Sequence, residues 1–128
     1  MNKQLLLILS VIFSAFLLSQ QTFASEPSNS EKTMATILHF LNHFPGNDEK
    51  EKLNKIVKSS KSSAHEKTIA SAMLNLQHSA SEGDKRKLSK IISDSSASQA
   101  SKDIAKIVRN LNHKPSSSDK KLLKKYMW

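Results

Sequence analysis

Histidine is the residue type in this 128-residue chain whose spacing invites chemistry: there are five, and His43, His78 and His113 stand 35 residues apart. An imidazole titrates near neutrality, ligates metals through either ring nitrogen and, once protonated, suits the negative end of a helix. The recurrence admits two roles. The plainer, and preferred, one sets each ring near a helix C-terminus, worth about 0.3–1 kcal/mol through the helix dipole. The sharper one makes His43, His78 and His113 a pH-sensing or binding edge along the molecule. Metal chemistry is suggested separately by His39 and His43, which stand at i, i+4. Zinc, however, wants a third and fourth ligand, and position 39 becomes Leu74 and Arg109 in the other copies. The sequence reading therefore assigns no metal ligands and no cofactor.

Nucleophilic and acid–base catalysis find less support. The serines cluster in segments between helices, where a hydroxyl caps free amides. The acids are scattered among lysines, as surface ion pairs are. Cysteine is absent and glycine occurs twice, which excludes disulfides, thiolate metal sites, a cysteine nucleophile and a glycine-rich phosphate loop. No catalytic residue is assigned, and the chain is expected not to be an enzyme.

Lysine recurs with the same interval. Lys50, Lys55, Lys85, Lys90, Lys120 and Lys125 fall at two equivalent positions of three copies. They form a candidate face for an anionic partner within a chain of formal charge +9. Such a balance draws a protein to anionic surfaces, though a solvated face is the commoner reason for a run of charge.

These residues are positioned by a repeat. Seven positions are identical in three ungapped copies: Lys32/Lys67/Lys102, Ala35/Ala70/Ala105, Leu41/Leu76/Leu111, His43/His78/His113, Lys50/Lys85/Lys120, Leu53/Leu88/Leu123 and Lys55/Lys90/Lys125. The copies span about 32–66, 67–101 and 102–128. In the first half of each, apolar residues follow i, i+3, i+4, i+7: Met34, Ile37, Leu38, Leu41; Ile69, Ala72, Met73, Leu76; Ile104, Ile107, Val108, Leu111. That spacing predicts a helix with one buried stripe. In the second half the stripe narrows to Leu53, Ile56, Val57, then Leu88, Ile91, Ile92, then Leu123, Tyr126, Met127. Breakers such as Pro45-Gly46 and Pro115-Ser116 separate the halves, and Ser63 with Glu66 reads as a capping box.

The expected fold is therefore all-α: three tandem 35-residue helical hairpins, about six short helices, packed as a small repeat stack or closed bundle. The Trp, Leu-Gly and Tyr signature of tetratricopeptide repeats is missing. The last helix is expected to close the stack with Trp128 capping it.

Residues 1–24 stand outside that plan. Lys3 precedes an apolar run from Leu5 to Leu18, followed by a polar exit and small residues ending at Ala24. This is the layout of a cleaved Sec-type bacterial signal peptide, too short in its core for a spanning helix. Lys3 is its only charged residue, so removal leaves +8 over 104 residues. A flexible tail, 25–30, would precede the repeat domain, 31–128. The implied address is the periplasm or the medium, with no transmembrane span after cleavage and no nucleic acid to bind. The expected function is a non-enzymatic binding module of the envelope that engages a protein partner. Alternatives are a cationic protein binding lipid or lipopolysaccharide surfaces, and an immunity-type inhibitor of an envelope-acting toxin.

Overall fold

A computed structural model describes residues 25–128, so the leader expected over 1–24 lies outside the described residues. Six helices follow in order: α1 Asn29–Phe40, α2 Asn47–Lys58, α3 Ala64–Leu74, α4 Glu82–Ser93, α5 Gln99–Arg109 and α6 Ser117–Leu123. A single 3₁₀ turn, Lys124–Tyr126, ends the last one. Among the described residues there is no strand, and no helix is long and apolar enough to cross a membrane.

Local sequence explains the boundaries. Ser28, Ser63, Ser81, Ser98 and Ser116 are N-caps whose hydroxyls accept from the amide three residues on. The box expected at Ser63 and Glu66 is present, and Ser28 with Glu31 forms its equivalent. Each such cap satisfies an amide that the helix itself leaves free, worth about 1 kcal/mol. Because Ser28 already caps α1, the ordered structure begins inside the segment read as a tail.

All twelve residues of the first-half stripes are buried. Leu53, Leu88 and Leu123 of the second halves are fully buried too. The three inner helices, α1, α3 and α5, pack on one another. Ala35, Ala70 and Ala105, one per inner helix, are fully buried, and the small side chain lets the backbones approach. That accounts for their identity in the repeat.

The outer helices are less simply placed. Each packs more on the next copy's inner helix than on its own: α2 on α3, α4 on α5, and α6 with its 3₁₀ turn on α1. The last pairing joins the last described helix to the first. The repeat is therefore a closed ring of three units about a pseudo-threefold axis, not an open superhelix. Within the third copy, Tyr126 ties the 3₁₀ turn to α5 by donating its hydroxyl to Asp103 Oδ2 at 2.6 Å. Trp128 does not cap the stack. It is 85 % exposed, because the buried knob at the end of the chain is Leu123, while Tyr126 and Met127 pack partly buried beside it.

Candidate functional site: a histidine triad on the axis

In a ring, equivalent residues meet at the axis. The three inner helices run the same way, so their N-termini gather at one pole and the loops after their C-termini gather at the other. At the first pole Glu31 and Glu66 are buried, 3 % and 7 % exposed, beside Ser101 at the equivalent position of the third copy. Glu31 Oε1 accepts from the hydroxyls of Ser98 and Ser101, the latter at 2.7 Å, and Oε2 accepts from the Ser28 amide at 2.8 Å. Glu66 Oε1 accepts from the Ser28 hydroxyl at 2.8 Å. Two carboxylates are held by helix-terminal amides and serine hydroxyls, and a hydroxyl replaces the third. Two anions with donors between them are tolerable where three would repel.

The opposite pole holds His43, His78 and His113. Their rings touch: centroids are 5.5 Å apart for His43–His78, 5.4 Å for His43–His113 and 4.7 Å for His78–His113. One nitrogen from each ring lies within 4.8 Å of one nitrogen from each of the others. Among the described residues this is the one group of three or more histidines or acids so arranged. His43 is half-buried, and His78 and His113 are exposed.

The loops hold this geometry through the backbone. The His43 amide donates to the His113 carbonyl at 2.9 Å, and the His113 amide to the His78 carbonyl at 2.7 Å. His43 and His113 take left-handed conformations, φ 81° and 67°. A residue with a Cβ rarely adopts such angles, and histidine does so more readily than most. The strain is borne at the two positions where the chain turns to bring rings together. The His113 ring has a further partner, Asn112 Oδ1, at 2.8 Å from Nδ1. If the ring donates there, its other nitrogen keeps a free lone pair.

The 35-residue spacing predicts these histidines along an edge, with helix C-termini as the preferred environment. The helices end earlier, at Phe40, Leu74 and Arg109. The rings therefore sit in the loops beyond them, gathered at a point. The spacing of 35 was visible, but closure of the ring, which no single copy encodes, brings the rings together. The separate pair His39 and His43 does not act as one: the His39 ring meets the Lys120 carbonyl at 3.2 Å and the edge of Phe40. His65 is elsewhere again, 2.9 Å from Asp94.

The lysines do not share a face. Lys50 and Lys55 lie on α2, Lys85 and Lys90 on α4, and Lys120 at the end of the chain on α6 with Lys125 in the 3₁₀ turn. Because these elements surround the inner three, the charges form a belt. Lys55 pairs with Glu51 and Lys85 with Glu82, each at 3.0 Å. Lys50 borders a shallow groove of about 260 Å³ that it shares with Phe44, Leu76, Gln77 and His78. Phe40 and Phe44, at or just beyond the C-terminus of α1, are 72 % and 56 % exposed. Neither belongs to an apolar stripe, so periodicity does not single them out. That same isolation was the available signal.

No protein-family model, curated protein or solved structure matches the chain.

Proposed function

We propose that the chain is an exported, non-enzymatic binding module of the bacterial envelope, and that it engages a protein partner with the histidine pole. The observation that carries this reading is the pair of exposed phenylalanines, Phe40 and Phe44, beside a loop surface fixed by interloop hydrogen bonds. Interfaces draw their energy from a few exposed aromatics that become buried, surrounded by a polar rim. Phe40 and Phe44 supply the former. Lys50 and its neighbours on the belt supply a cationic rim suited to an acidic partner. The signal-like residues 1–24 support export.

A photoreactive phenylalanine analogue placed at Phe44, and separately at Ser96 on the far pole, tests the proposal in intact cells. A discrete protein adduct from position 44, absent from 96 and lost in Phe40→Ser, is the expected result. Equal labelling from both positions defeats the assigned surface. Sedimentation with anionic vesicles that collapses between low and physiological salt, without any protein adduct, would favour the envelope-surface reading instead.

A further inference from the structure

We propose that His43, His78 and His113 form a binding site for one divalent late first-row transition ion, of the zinc class, on the pseudo-threefold axis. The inference goes beyond partner binding and does not depend on it.

Three arguments converge on the triad. The first is distance. Nitrogens within 4.8 Å of one another place a central ion at most about 2.8 Å from each, and contraction to the usual Zn–N length of about 2.0–2.1 Å moves each ring by less than about 1 Å. Exposed rings at 78 and 113 can make that adjustment by side-chain rotation while the backbone stays fixed. The second is commitment. Among the described residues the rings of His43 and His78 have no hydrogen-bond partner, and the one partner of the His113 ring is Asn112 on Nδ1. An oxygen accepting from the far nitrogen is the usual way a ligating histidine is oriented. The third is cost. Left-handed backbone at His43 and His113 would be relieved by glycine or asparagine if only the turn mattered. Histidine at both, and at His78 where the backbone is not left-handed, points to the ring rather than the turn.

The chemistry of the set narrows the ion. Three imidazoles without a carboxylate suit zinc, copper, nickel or cobalt, and do not suit magnesium or calcium, which require oxygen. Three protein ligands leave a coordination position open to solvent. Lys50, on the groove that His78 also lines, disfavours a bare dication and favours an anion in that position, such as a carboxylate or phosphate.

The purified chain, free of any polyhistidine tag, is titrated with Zn²⁺ and with Co²⁺. Saturation at one ion per monomer is expected, with a cobalt visible spectrum of low-symmetry nitrogen ligation. Nitrogen-detected imidazole spectra should show Zn²⁺ moving the resonances of His43, His78 and His113 and leaving His39 and His65 in place. This measurement needs no variant. His43→Asn and His113→Asn keep a residue that tolerates left-handed backbone, and each should weaken binding at least about 10-fold, as should Asn112→Ala. The double variant His39→Gln/His65→Gln should bind as the parent does. Binding that persists when all three triad histidines are replaced, or spectra in which His39 or His65 respond instead, would overturn the site. Half an ion per chain with dimerisation would also overturn it, since the site is closed within one molecule.

Discussion

Buried carboxylates at the serine pole show how single side chains decide the stability of the ring. Ser101 donates to Glu31 Oε1, so Ser101→Ala removes one of that oxygen's two hydroxyl donors while Ser98 remains. A loss of about 1–3 kcal/mol is expected in denaturant unfolding. Ser101→Glu installs the residue that the other two copies carry, yet it should cost more than the alanine, because it brings a third carboxylate to a buried axis. If the glutamate proves the milder change, the charge argument at this pole is wrong. A different carboxylate, partly exposed, contributes to the acid response. Hydrogen bonds from the Ser96 hydroxyl and amide, joined by one from His65, hold the Asp94 carboxyl down at about 2 against an ordinary value of 3.8. A carboxylate depressed in the folded state stabilises fully above its unfolded value and loses that contribution as pH falls through the folded one. The window is therefore from about 4 down to about 2. Unfolding midpoints followed across it should decline less steeply in Asp94→Asn than in the parent.

Among helices, equivalence is the property to test. Leu41, Leu76 and Leu111 are 6 %, 3 % and 5 % exposed, each at the same repeat position one or two residues beyond the C-terminus of an inner helix. An open stack would leave an end copy with one neighbour and a smaller penalty on truncation. In the ring every inner helix has two inner neighbours and an outer helix from the preceding copy, the first copy receiving α6. Each leucine-to-alanine change should therefore cost about 2–5 kcal/mol, with the three values agreeing to within about 1 kcal/mol. Chemical unfolding of the three variants measures this, and a Leu41 penalty well below that of Leu76 would speak for an open end. These positions also mark what the amino-acid order reveals and what it does not. A periodic stripe is local, so Met34 to Leu41 and their equivalents declare the helices and the buried faces. Serines placed before five of the six helices, all but α2, declare those boundaries for the same reason. Which helix packs against which is not local: α2 prefers α3 to α1 through side chains that serve either neighbour equally well in a linear reading. Gathering of the three histidines depends on that preference, and so lay beyond reach of spacing alone.

Closure gives the whole molecule a topology in which covalent and spatial neighbours differ at one place. Around the ring the tight pairs are α2 with α3, α4 with α5, and α6 with α1. The first two are joined by the chain, and the third is held without it. There Leu123 is fully buried. Met127 shares a groove with Lys32 and Ile37 of α1, so the C-terminus lies against the first helix. The covalent break can accordingly be moved. A permutant that starts at Lys61, runs to Trp128, continues through a short glycine–serine linker into Ser25 and ends at Ser60 makes the α6–α1 pair covalent. Its α2–α3 pair then plays the part that α6–α1 plays in the natural order. The severed connection is a short exposed turn, the kind of site at which permutation is tolerated. The pseudo-threefold arrangement makes the two topologies equivalent, so the permutant should keep its helical circular dichroism and unfold cooperatively, with a midpoint near that of the parent. It should also retain the close His43–His78–His113 approach, readable as cross-peaks between the rings. A permutant that loses helical structure would show that α6 does not close on α1, and with an open stack the axis on which the triad stands would disappear.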